Sequence, residues 1–255
     1  MNNPVLHDLV ASIGDLAALP TTVVQLLDLF KDATCSATDV VQVMERDPAM
    51  TANVLKLSNS AFYGARREIS SVRDALVMLG NRSVVTLAFA TGMAPIMRRD
   101  LVGYGISRDR FWGHSLQAAT VSAIVAERLG VGEQRCEAFT AGLLHDVGML
   151  VVDAHLVANG LSIGFDQQWL DVCDIERQML GFDHAEAGAL LASHWGFPDV
   201  LIAPVERHHE QPSSGPHQEV VRAVTVGNLL ARMVDDNLDV TGNDFARSTL
   251  AGLAF

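Results

Sequence analysis

The chain has 255 residues, 49% of them apolar and only 6% aromatic, enough for one large domain or two modest ones with a sizeable core. Its net charge of −12 is uneven: residues 1–107 carry 9 Lys and Arg against 10 Asp and Glu, and residues 108–255 carry 9 against 20. Neither part has the clustered cations that neutralise phosphates, and the three cysteines (Cys35, Cys136, Cys173) show no CxxC spacing, so nucleic-acid binding, a disulfide framework and a thiolate zinc site are all excluded as expectations.

In chain order, Val5–Ile13 repeats apolar residues at helical spacing, and Leu19-Pro20-Thr21 opens a helix to about Lys31. Ser36 with Asp39, Asp47 with Pro48, and Ser71 with Asp74 are helix starts, because a short oxygen side chain caps free N–H groups and proline suits the first helical position. Gly80-Asn81 stops the helix after Ser71, and another runs from about Arg82 toward Pro95. The pattern breaks over 98–109, which sets the expected lobes at 1–107 and 108–255, although Leu101, Val102, Tyr104 and Ile106 could pack. Helices are then expected over Arg110–Leu129, Glu133–Ala158, Gln167–Leu180, Asp183–Trp195, from Pro198 to near His208-His209, over Glu219–Val234 and over Asp244–Leu253. No stretch alternates with period two, so the fold class is all-α. The N-terminus lacks a charged region before an apolar one, and the apolar stretch Val84–Met97 falls short of the roughly 18–20 residues that span a bilayer. A cytoplasmic protein with no membrane partner is expected, receiving any input from a separate chain.

His145-Asp146 sits in Gly142-Leu-Leu-His-Asp-Val-Gly-Met-Leu150, an otherwise apolar segment. A buried carboxylate is costly unless it is paired or bound to metal. His114, His184, His208 and His209 lie on neighbouring elements, and neutral imidazoles with a carboxylate suit first-row divalent metals. A metal-free polar network, in which the imidazoles and the carboxylate satisfy one another, fits the same spacing. Asn59, Ser60 and Tyr63, in Asn59-Ser-Ala-Phe-Tyr-Gly64, are either a helix cap and turn or a contact for a partner or ligand.

These segments resemble the HDOD family. The resemblance is carried by Leu19-Pro20, Asp47-Pro-Ala-Met-Thr51, Leu55-Lys-Leu-Ser-Asn-Ser-Ala-Phe-Tyr-Gly64 and Ala75-Leu-Val-Met-Leu-Gly80 in the first half. The second half adds Phe111-Trp-Gly-His-Ser115, Gly142–Gly148, Gly181-Phe-Asp-His184 and His208-His-Glu210. The resemblance implies a bacterial, two-lobed helical protein whose second lobe is similar to HD-type metal phosphohydrolases. Such proteins commonly serve as output or scaffold modules in signalling, and most are regarded as lacking hydrolase activity. Against the HD pattern, His114 matches the early histidine, His145 and Asp146 match the pair, and Asn228 stands where the late aspartate belongs. Asp235 is seven residues further on, about 10 Å along a helix rising ~1.5 Å per residue, too far to substitute. In related subgroups His184, His208 and His209 would help hold a second metal. The resemblance therefore implies a non-catalytic module that binds signalling proteins, with a homodimer as an open option. The alternative is a phosphohydrolase or phosphodiesterase using Mn, Fe, Mg or Zn at this cluster.

Overall fold

A computed structural model of the protein describes residues 6–7, 9–11, 19–31, 34, 36–59, 67–163, 172–210 and 214–235. Ser60, Tyr63, Cys35, the start of the helix expected from Gln167, the side chain of Asp235 and the helix expected over Asp244–Leu253 lie outside the described residues. Within them the chain is helical and has no strand; an isolated antiparallel bridge joins Leu101 to Ile106. The chain separates into two compact units, 18–95 and 1–17 with 96–255. The irregular stretch 98–109 belongs to the larger unit.

The smaller unit contains α1 (Thr21–Lys31), α2 (Ala37–Met44), α3 (Pro48–Ser58), α4 (Val72–Leu79) and most of α5 (Asn81–Met97). The expected caps form. Asp39 N–H donates to Ser36 Oγ while the Asp39 carboxylate accepts from Ser36 N–H, Asp47 Oδ1 accepts from Met50 N–H at 2.9 Å, and Ser71 Oγ accepts from Asp74 N–H at 3.0 Å. Burial of Leu26, Val40, Met44, Val54, Ile69, Ala75, Val84 and Ala88 builds one core, because each helix turns its apolar stripe inward. The Asn59 side chain is engaged by the backbone: its amide nitrogen donates to Leu55 O and Ile69 O, and its oxygen accepts from Ile69 N–H, each at 2.8 Å. It ties the end of α3 to the segment that enters α4.

The larger unit contains α6 (Arg108–Arg128), a 3-10 turn (Gly132–Gln134), α7 (Arg135–Leu144), α8 (Met149–Ala158), α9 (Val172–Leu180), α10 (His184–His194), α11 (Asp199–Arg207) and α12 (Gln218–Asp235). Helix α6 packs along α7 and α12, α11 lies against α7, α10 and α12, and α8 lies against α10. The inner face of α6 is small: Ala118, Ala119, Ser122, Ala123 and Ala126 are buried. Gly142 of α7 and Gly227 of α12 both abut Ser122. A Cβ on Gly142 would lie 2.7 Å from Ser122 Oγ, and one on Gly227 would collide with that oxygen. Two helices thereby reach α6 at nearly backbone distance, and the side chains beside this crossing converge.

The single helix expected over Glu133–Ala158 is broken, and His145-Asp146 lies in the break rather than inside a helix. Residues 145–148 form a tight turn with three-residue hydrogen bonds, Val147 N–H to Leu144 O and Met149 N–H to Asp146 O. His145 Nδ1 takes Gly142 O at 2.7 Å, and Gly148 sits so close to α10 that a Cβ would collide with His184 O and Gly188 N. Apolar residues continue through the turn, so periodicity does not reveal it. The 27-residue stretch Gly132–Ala158 has the length of a membrane span and contains an 18-residue window of mean hydropathy 1.4, but 67% of that window is buried inside the protein. Its apolarity is that of a core layer.

Candidate metal centre

Five elements of the larger unit deliver the cluster. His114 comes from the middle of α6, His145 and Asp146 from the α7–α8 turn, His184 from the first residue of α10, His208 and His209 from the end of α11, and Asn228 from α12. Asp183 caps α10 by accepting from Glu186 N–H at 2.9 Å, and Arg177 pairs with its other oxygen, which fixes the backbone that carries His184. His145, Asp146 and His184 are fully buried and His208, Asn228 and His114 nearly so, at 1%, 4% and 5% exposure. His209 is partly buried.

Asp146 is the hub. Its Oδ2 lies 3.1 Å from His145 Nε2 and 3.6 Å from His114 Nε2, and its Oδ1 lies 3.3 Å from both His184 Nε2 and His208 Nε2. None of these approaches has hydrogen-bond geometry, so both buried carboxylate oxygens lack a donor. His184 Nε2 is also 3.0 Å from His209 Nε2. The structure thus brings together His114, His145, Asp146, His184, His208, His209 and Asn228.

The far side of each ring fixes its tautomer. His145 Nδ1 faces Gly142 O and His208 Nδ1 faces Val205 O, both at 2.7 Å, and a carbonyl only accepts, so both Nδ1 atoms carry hydrogen. His184 Nδ1 faces Glu176 Oε2 at 2.8 Å with the same consequence. In the neutral rings the Nε2 lone pairs of His145, His184 and His208 therefore point at an anionic carboxylate. Lone pairs facing a carboxylate repel unless a proton or a cation lies between them. The donor set, one carboxylate and several imidazoles with their Nδ1–H groups tied, suits a divalent cation. Groups within ligand distance of one another are Asp146 with His184, His208 and His209, and His114 with His145 and Asp146.

The electrostatics follow the geometry. Burial alone raises a carboxyl, but where the facing imidazoles of His145, His184 and His208 carry a proton toward it they outweigh burial and hold Asp146 well below the usual carboxylate range. Burial opposes protonation of His184, yet the Glu176 carboxylate carries that imidazole well above its ordinary value. Burial lowers His208 to about 4, with Asp146 opposing. Burial and the neighbouring His208 and His184 put His209 well below the imidazole range.

Asn228 is held in a specific orientation. Its Oδ1 accepts from Arg232 Nε, one turn along α12, at 3.1 Å, and lies 3.1 Å from His114 Nε2. With the amide oxygen turned to His114, the ring nitrogen satisfies it as an N–H donor. Sequence reasoning located Asn228 but missed Arg232, whose i, i+4 spacing was the available signal.

It also missed a layer behind His184. Glu176 Oε2 accepts from both His184 N–H and His184 Nδ1–H at 2.8 Å, and Oε1 accepts from the Tyr104 hydroxyl. Burial, then the charge of Glu176, push the Tyr104 phenol well above its ordinary 10, so it keeps the proton it donates. Cys173 Sγ lies 3.9 Å from His184 Nδ1. Cys173, Glu176 and His184 also lie within ligand distance of one another. There, however, the carboxylate oxygens already receive donors, unlike those of Asp146, and this trio supports the centre rather than forming one.

An HDOD domain family model matches residues 16–211. The HDOD domain protein of unknown function from Geobacter sulfurreducens superposes with a TM-score of 0.73 at 23% identity, covering 96% of this chain and 88% of its own. A Shewanella amazonensis SB2B protein named as a candidate phosphohydrolase superposes with a TM-score of 0.71 at 27% identity, covering 96% and 87%. A Marinobacter aquaeolei VT8 protein named as a candidate signal transduction protein gives 0.65 at 23% identity, covering 97% and 64%. The chain spans 43% of the length of the curated relative it matches, an uncharacterised protein of Treponema pallidum. With the helical fold, the His/Asp cluster and a match over more than half of its length, the chain belongs to the HDOD family.

Proposed function

We propose that this chain is a non-catalytic signalling module of the bacterial cytoplasm that acts by binding protein partners, and that its His/Asp cluster is a structural centre for a divalent cation. One observation carries the non-catalytic part: the position that would offer another carboxylate presents the Asn228 amide, bonded to Arg232. Around it His145, Asp146, His184 and His208 expose no more than 1% of their surface, while His209 is partly buried. Hydrolysis requires a phosphoester to reach the centre, whereas a structural cation needs only ligands. Asp146, His184, His208 and His209, whose donor atoms lie within ligand distance of one another, are the residues that would hold it. Once bound, the cation supplies positive charge between Asp146 and the imidazole lone pairs. The name of the Marinobacter protein agrees with a role in signalling.

The second reading, a metal-dependent phosphohydrolase, is favoured by the two donorless oxygens of Asp146 and by the name of the Shewanella protein. Both readings meet in one experiment. Purified protein is analysed for bound metal and assayed on mono- and diester phosphates with added manganese or iron. The module reading expects bound metal at no more than one ion per chain and no turnover. Turnover that disappears in His145→Ala and Asp146→Ala would overturn it in favour of the enzyme.

A further inference from the structure

We propose that Glu176, locked in place by Tyr104, is a positioning residue that keeps hydrogen on His184 Nδ1 and aims His184 Nε2 at Asp146. The proposal rests on the reading of the cluster as a cation centre and adds the device that orients one of its ligands.

The rings of His145 and His208 are tied through Nδ1 to neutral backbone carbonyls. His184 is tied to a carboxylate, and twice: Glu176 Oε2 receives its backbone N–H and its ring Nδ1–H, each at 2.8 Å. One oxygen thus clamps both ends of the side chain, and the ring cannot flip without breaking a buried charge-assisted bond. A carboxylate behind an imidazole also makes the opposite nitrogen a better donor. The second carboxylate oxygen is closed by the Tyr104 hydroxyl, so Glu176 has no competing orientation.

Tyr104 is itself placed by the irregular stretch that divides the helical pattern. Leu101 and Ile106 exchange backbone hydrogen bonds at 2.9 and 3.0 Å, closing residues 102–105 into a turn. Gly103 N–H donates to Asp153 of α8, and Gly103 O accepts from Ile163 N–H at 2.8 Å. Tyr104, Glu176 and His184 are all fully buried. The turn carries the tyrosine hydroxyl to a helix 72 residues away in the chain.

The test uses the full chain with 15N-labelled histidine, as wild type, Glu176→Gln and Tyr104→Phe. Imidazole NMR reads the Nδ1 proton, and zinc titration reads affinity. In the wild type, His184 is expected to show a protected, downfield Nδ1–H. In Glu176→Gln that signal moves upfield and exchanges faster, while the His145 and His208 Nδ1–H signals stay in place. Zinc affinity falls about 10–100-fold, the range for loss of a group behind a ligand. Tyr104→Phe, which removes one hydroxyl, moves both readouts in the same direction by less, and decides the matter alone should the glutamine variant not fold. An unprotonated His184 Nδ1 in the wild type, or variants that leave both readouts unchanged, would overturn the proposal. If wild-type protein takes up no zinc, the cation reading fails, and the NMR arm alone judges the Glu176 tie.

Discussion

Asp146 sits at the centre of four imidazoles with no donor on either oxygen, and that arrangement sets what its replacement does. In Asp146→Asn the anion is lost, while Glu176 still faces His184, so no buried charge is left without a partner. With chelator present, where the imidazole lone pairs repel the wild-type carboxylate, the variant is expected to match or exceed the wild type in urea unfolding. Zinc at a hundred times its dissociation constant should add ~2.7 kcal/mol to the wild type and nothing to the variant. A variant that zinc stabilises as well as the wild type would remove Asp146 from the ligand set. Asn228 gives the opposite prediction. Asn228→Asp places a carboxylate 3.1 Å from His114 Nε2 and should raise zinc affinity about tenfold, ~1.4 kcal/mol by calorimetry. Arg232 Nε, on the same oxygen, limits the gain, so Asn228→Asp with Arg232→Gln should bind more tightly still. At this scale the histidines and Asp146 were legible, because they fall in ordered motifs. Glu176 and Tyr104 were not, because a glutamate in a charged helix and a tyrosine in an irregular turn carry no local pattern; only packing joins them.

Among the elements, helix starts were legible because capping is local: Ser36, Asp47 and Ser71 each accept from an N–H three residues on. The break at 145–148 was not, because its cause lies on another helix, where His184 O and Gly188 N press on Gly148. Two glycines separate these kinds of information. Gly80 ends α4 with φ +80° and ψ 161°, and a Cβ there would touch nothing within 4 Å. Gly80→Ala should therefore carry backbone strain alone, about 1–3 kcal/mol. Gly148 has an ordinary helical φ of −65° but no room. Because the atoms in the way are backbone, Gly148→Ala must push α10 from the turn and displace His184 from Asp146. It should cost at least as much as overpacking of ~1–3 kcal/mol, and should also weaken zinc binding, which Gly80→Ala leaves unchanged. Urea unfolding and zinc titration of the two variants side by side check this. Equal zinc affinity in both would break the link between the glycine contact and the centre.

At the level of the whole molecule, composition foretold helices on helices: the face that α6 buries is made of alanines and serines, and scarce aromatics leave little to fill a wider gap between layers. The stretch 98–109, where the helical pattern breaks, belongs to the larger of the two compact units. Leu101, Tyr104 and Ile106 are buried within the larger unit, and Val102 is 69% exposed, so the stretch packs as a structured turn. Charge was also readable from sequence, and it predicts behaviour toward polyanions. Residues 108–255 carry a net −11 and residues 1–107 a net −1. Arg98 and Arg108 are paired with Asp109 and Asp100 at 2.9 and 2.7 Å, which takes one cation of each half out of any patch. Binding to duplex DNA draws its affinity from phosphate neutralisation and counterion release, and each lost contact flattens the salt dependence. The protein is therefore expected to leave the fluorescence anisotropy of a labelled duplex unchanged at micromolar concentration and about 50 mM salt, conditions that favour such contacts. Saturable binding that collapses between about 50 and 200 mM salt would mean that a basic surface forms which the charge distribution does not contain, and the module's partners would then include nucleic acid.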